Sequence, residues 1–153
     1  MSRLRGRTSR SRETGSALVE LTWLGLLMLI PLVYVVITIV TVQRSAYGAS
    51  EAARAAGRAF VLAPDVATAS HRAYDAAKVA MADQGVALSG DELVVHCSPT
   101  PQSCLQPGST VRVEIHLDVR LPFFPTVFGH SAASVAVSAT HAEPYGTYRE
   151  AAP

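Results

Sequence analysis

Apolar positions along this chain follow three different periods. In "LTWLGLLMLIPLVYVVITIVTV", from Leu21 to Val42, they are nearly continuous, and 22 residues pass without a formal charge. A helix of that length spans about 33 Å, enough for a hydrocarbon core of ~30 Å. Thr22, Thr38 and Thr41 can bond back into their own helix. Pro31 removes one backbone donor, which a membrane helix tolerates because nearby groups re-satisfy the freed carbonyl. A buried soluble helix is the competing reading, but so small a domain would struggle to surround a helix that is apolar on every side.

Beyond Val42, "QRSAYGASEAARAAGRAFVLAP" is rich in alanine, a strong helix former, so the membrane helix is expected to continue to about Leu62, before Pro64. Gly48, Ala52 and Ala56, and likewise Ala49, Ala53 and Gly57, recur every four residues. Such stripes permit close helix contact, or simply reflect alanine chosen for helicity; both readings stay open. A second helix is predicted in "PDVATASHRAYDAAKVAMADQG", started by Pro64 and Asp65 and ended by Gly85. Its apolar face, with Val66, Ala69, Ala73, Ala76, Ala77 and Ala80 and bulk added by Tyr74 and Met81, is shallow and needs a sheet to lie on.

In "TVRVEIHLDVRL" the period becomes two. Val111, Val113, Ile115, Leu117, Val119 and Leu121 alternate with Arg112, Glu114, His116, Asp118 and Arg120, giving one buried and one wet face. "ELVVH" and "SVAVSATH" are shorter strand candidates on either side. Pro122 and Pro125 interrupt the connection after the long strand. Phe123, Phe124 and Phe128 within it can cover the core, meet a neighbour or touch a lipid leaflet, and core cover is the reading adopted. The expected fold class is α+β: a long N-terminal transmembrane helix, a minor helix, and a small antiparallel sheet of about three strands. The domain reading is a basic cytoplasmic leader at 1–15, the transmembrane and extended helix at 16–62, an exported α+β domain at 63–143, and a flexible tail at 144–153.

Charge orients this arrangement. The net charge of +1 conceals a leader in which five arginines face Glu13 alone, while the rest of the chain has 8 basic and 11 acidic residues. The leader should stay in the cytoplasm, with the body extracytoplasmic. A basic tail before a mildly acidic body does not describe a nucleic-acid binder. A cleaved secretory signal is the alternative, favoured by the small residues of "SAYGAS" but disfavoured by an apolar run longer than such signals carry.

Cys97 and Cys104, in "CSPTPQSC", are expected to form a disulfide if the body is exported. A metal site using both with His96, or two free thiols, are the alternatives; zinc sites commonly space their cysteines more tightly. No phosphate-binding glycine loop, zinc-protease motif or nucleophile elbow is present. Glu114, His116 and Asp118 share a strand face and invite a ligand reading, although alternation alone puts such residues on a solvated face. No catalytic residue, metal ligand or cofactor is assigned, and an enzyme is not expected.

Glu20 remains. A carboxylate at the edge of an apolar span is costly unless something compensates, and a short side chain reaches water poorly. The stretch from Gly15 through Ser16, Ala17, Leu18 and Val19 to Glu20, after an arginine-rich leader, resembles the processing site of type IV pilin-like proteins. With the single apolar helix, its alanine-rich continuation, "VRVEIHLDVRLPFFP" and the final alanine-rich strand, the chain resembles the TadE/TadF-like pilus assembly family of bacterial tight-adherence systems. The resemblance implies that a prepilin peptidase cuts between Gly15 and Ser16. It implies that Glu20 then pairs with the new α-amine of an adjacent subunit, since an α-amine is positive near neutral pH. It also implies a minor pilin-like role, with other pilin-like subunits, the tight-adherence inner-membrane machinery and the lipid bilayer as partners. The competing class is an uncleaved single-pass anchor whose outer domain binds an envelope partner.

Overall fold

The computed structural model describes residues 14–122 and 133–151. Phe123, Phe124 and Phe128 lie outside the described residues. The chain divides into two compact units, Met1–Ile37 and Thr38–Pro153. Helix α1, Thr14–Val61, is continuous through Pro31. Its portion in the first unit exposes large apolar side chains all round, Leu18, Leu21, Trp23, Leu24, Leu27 and Ile30 among them. No side of this portion is polar enough to face water while another is buried, as an amphipathic helix requires.

The second unit is the α+β body expected from the sequence. It holds the rest of α1, helix α2 at Val66–Asp83, and strands β1 at Leu93–Ser98, β2 at Thr110–Arg120 and β3 at Ser134–Pro144. The sheet is antiparallel with order β1-β2-β3, and Val113 pairs with Val95 on one side and His141 on the other. Alternation along β2 holds as read: Val111, Val113, Ile115, Leu117 and Val119 are buried, whereas Arg112, His116, Asp118 and Arg120 are exposed.

Asp65 caps α2. One carboxylate oxygen accepts from the Thr68 amide and the other from the Thr68 hydroxyl, each at 2.8 Å. The amide bond, then the hydroxyl bond, hold the Asp65 carboxyl below its ordinary pKa. At the other end Gly85 takes φ +71°, a conformation open to glycine, while its amide and that of Val86 bond back to Ala82 and Met81. Between the caps, Ala69, Ala73, Ala77 and Met81 fall one turn apart and are fully buried.

The two small-residue stripes of α1 both face inward. Ala49, Ala52, Ala53 and Ala56 are fully buried in the core with Phe60, Met81 and Ile115. A Cβ on Gly48 would meet Met81 and Gln84 of the α2 end at 3.2–3.3 Å, and one on Gly57 would meet Glu143 and His141 of β3 at 3.3 Å. The close contact they permit is therefore with this chain's own second helix and sheet. Large side chains at these positions would push α1 off the sheet. Two arginines add polar ties: Arg44 donates to the Gln84 carbonyl that ends α2, and Arg149 to the Val61 carbonyl that ends α1, each at 2.8 Å.

Within the tail read as 144–153, Pro144 closes β3 and Tyr145 is buried. The Tyr145 amide donates to the Ser109 carbonyl at 2.8 Å, its hydroxyl donates to the Glu150 carbonyl, and the Arg149 guanidinium lies 4.5 Å over its ring.

Candidate functional site

Gly15 and Ser16 fall in the first turn of α1, and Glu20 one turn further on. Glu20 is exposed, among the exposed Leu18, Val19, Leu21 and Trp23. It makes no ion pair among the described residues. Thr22, one turn from Leu18, satisfies its hydroxyl by donating to the Leu18 carbonyl at 2.8 Å, the back-bonding that lets a hydroxyl sit in an apolar helix. From Ala17 to Val61 the helix is long and apolar enough to cross a membrane, with mean hydropathy 2.6 over its 18-residue window and none of that window buried. An ionisable group thus stands at the entrance to a span that is otherwise free of charge up to Arg44.

Cys97 and Cys104 stand at disulfide distance, with Cα atoms 5.0 Å apart. The loop they close is knit by its own polar groups. Ser103 Oγ donates to the Thr100 carbonyl at 2.7 Å and accepts from the Thr100 amide, and Ser109 Oγ donates to the Cys104 carbonyl. His96, the third member of the alternative metal site, is adjacent to Cys97 on a strand and so points to the opposite sheet face; it is exposed while Cys97 is half-buried. Among the described residues no three His, Cys, Asp or Glu side chains cluster to hold a metal ion.

On the outer face of the sheet, Glu114 and His116 come within 3.6 Å, but the His116 side chain is 60% exposed. Such a pair contributes little in water. Asp118 is exposed and opposite Ala136, so the trio forms no enclosed polar site. No protein-family profile, curated protein or solved structure matches this chain.

A polar group that the sequence reading passed over lies on the inner face. His141 Nε2 and Glu143 Oε2 are 3.0 Å apart, both half-buried, beside Gly57. They line a groove between α1 and β3 with Glu51, Arg54 and Arg58. The signal was available: alternation carried on from Val137 and Ala139 puts His141 and Glu143 on the core side, where residues of that type are uncommon. Nucleophile, base and oxyanion donors do not converge there, because both arginines are on the exposed helix face and the histidine faces a carboxylate.

Proposed function

We propose that this chain is a minor pilin-like subunit, a pseudopilin, of a tight-adherence type pilus assembly or secretion system. It is anchored by the first part of α1, with its leader cytoplasmic and its α+β body extracytoplasmic, and it is processed after Gly15. It is a structural subunit and not an enzyme. The observation that carries the reading is the division of labour within one helix. From Leu18 to Val40 α1 exposes its apolar side chains, and from Ala49 to Phe60 it buries alanine and glycine beneath its own sheet. One continuous element therefore serves as both anchor and spine of the body.

Glu20 fits this reading through electrostatics. After cleavage Ser16 would start the helix, and the positive end of the helix dipole together with a free α-amine would favour a carboxylate in the first turns. The same carboxylate, exposed on α1, would meet the amine of an adjacent subunit, and the attraction between the two charges would offset the cost of burying them, which an isolated carboxylate could not do. Intact mass and N-terminal sequencing of the membrane-extracted chain test the processing step, for which a start at Ser16 is expected. Glu20→Ala should leave membrane insertion unchanged and reduce subunit incorporation; unchanged pilus yield and subunit recovery would refute the role of Glu20.

The uncleaved single-pass anchor is favoured by one observation: α1 already includes Gly15 and Ser16, whereas proteolytic nicking concentrates at exposed loop tips and termini that lack regular structure. A mature chain that begins at Met1 in cells containing the peptidase would decide for that reading.

A further inference from the structure

In the second unit, the face of α1 turned to solvent is a ridge carrying Tyr47, Glu51, Arg54, Arg58 and Leu62, all exposed. Arg54 and Arg58 are one turn apart and point the same way. Neither makes an ion pair or hydrogen bond among the described residues. Beside the ridge, between α1 and α2, runs an open groove of about 530 Å³. Its floor is apolar, with Ala55, Ala76, Val79 and Ala80, and its rim is acidic, with Glu51, Asp75 and Asp83. Val79 is 63% exposed, a large apolar side chain open to water. The three carboxylates also lack an ion-pair partner among the described residues. One body thus presents two unpaired arginines on the solvent face of α1 and, with Glu51 at the border between them, an apolar groove whose acidic edges are unpaired.

We propose that the groove between α1 and α2 of one copy receives the Arg54–Arg58 ridge of a second copy. The occupant follows from charge complementarity, because the ridge supplies two guanidiniums and the groove supplies carboxylates two turns apart on α2, at Asp75 and Asp83. The outer α2 residues Arg72 and Lys78 do not line the groove. The two patches differ, so the contact is heterologous: the ridge of one copy enters the groove of a second, whose own ridge stays on its outer face. The inference rests on reading the chain as an assembly subunit and names the partner and the surface.

The test uses the full chain in detergent micelles. Arg54→Asp with Arg58→Asp makes the ridge acidic, and Asp75→Arg with Asp83→Arg makes the groove basic. Each double variant alone should self-associate at least about tenfold more weakly than the native chain, by sedimentation, because attraction becomes repulsion. Mixing the two variants should restore association, since the acidic ridge of one then meets the basic groove of the other. A direct readout comes from Arg58→Lys treated with a carbodiimide in a mixture of unlabelled and ¹⁵N-labelled chains. Peptides joining Lys at 58 to Asp75 or Asp83 should carry mixed labels. Native-like association of either variant, failure of the mixture to recover, or cross-links confined to one label would overturn the proposal. Ser16 as mature N-terminus and a loss of incorporation in Glu20→Ala, alongside any of those results, would leave the proposed function standing and remove only this contact.

Discussion

Gly57→Leu separates the packing described here from its alternative by sign. Gly57 sits in the interior of α1, where leucine is a better helix former by about 0.8 kcal/mol. If that face of α1 were open, the substitution would stabilise the body by about that much. In the structure the first added carbon alone would come to 3.3 Å from Glu143 Cβ and His141 Cδ2 and 3.9 Å from Val113 Cγ2. Three further carbons have no room unless α1 lifts from the sheet. Overpacking of a filled core costs about 1–3 kcal/mol, and the upper end applies because the obstacle includes a strand Cβ and not only a flexible tip. Set against the helix gain, the expected net loss is about 2 kcal/mol. Gly57→Ala is the internal control. Its single carbon needs the His141 ring and the Glu143 side chain to yield by a few tenths of an ångström, and the helix gain offsets that, so stability should stay within about 1 kcal/mol of native. Pulse proteolysis of the full chain across a urea series, in micelles, reads both. A urea midpoint for Gly57→Leu at or above the native one would refute the placement of α1 against β3.

Two further outcomes follow from the body. Reduction of the Cys97–Cys104 pair, or replacement of both by serine, opens a loop with a sequence separation of 7. The chain-entropy estimate is a loss of about 2.5 kcal/mol, seen as a lower urea midpoint; a midpoint indifferent to reductant would show that the pair does not brace the body. Asp65 sets an acid limit. Its carboxyl is held below the ordinary value of 3.8, so its stabilisation is present in full above the unfolded pKa and disappears as pH falls through the folded one. Asp65→Asn keeps a capping oxygen but does not titrate, so the drop in urea midpoint between pH 5 and pH 2.5 should shrink, and an identical drop in both proteins would refute the cap assignment.

Much of the fold was legible because its signals are local. The caps of α2 are written as Asp65 before an alanine-rich run and Gly85 after it, and both act as read. The alternation of β2 needs only its own residues to declare a buried face. What sequence left open depends on partners distant along the chain. The small-residue stripes of α1 carry the same spacing whether they meet another molecule or the chain's own sheet, and only the arrival of β3 and α2 decides between them. His141 was legible as the end of a strand, but Glu143 lay beyond the stretch read as "SVAVSATH", and nothing local pairs the two, because a carboxylate is accommodated on this core face where Gly57 opposite leaves room. Docking of Tyr145 and Arg149 likewise depends on Ser109 and Val61, 36 and 88 residues away from their respective partners in the chain.

That inward use of the stripes constrains any assembly built from this chain. Small-xxx-small surfaces are the usual route to close helix pairing, yet between Gly48 and Gly57 they are already spent on the body and cannot meet a second copy without unfolding it. Contacts between copies must then differ in chemistry along α1. Where the helix exposes leucine, valine and isoleucine, association inside a bilayer gains no hydrophobic drive, because lipid is as apolar as the side chains; a compensated charge such as Glu20 would supply the register. Where α1 backs the sheet, its free face is polar, and association would rest on Arg54 and Arg58. Surface charges are screened beyond a Debye length of about 8 Å at physiological ionic strength, whereas a pair sealed in lipid is not. Salt should therefore loosen contacts between bodies while leaving contacts between membrane segments intact. Two subunit populations distinguished by their salt response, one lost with the Arg54 and Arg58 reversals and the other with Glu20→Ala, are the pattern this division of α1 requires.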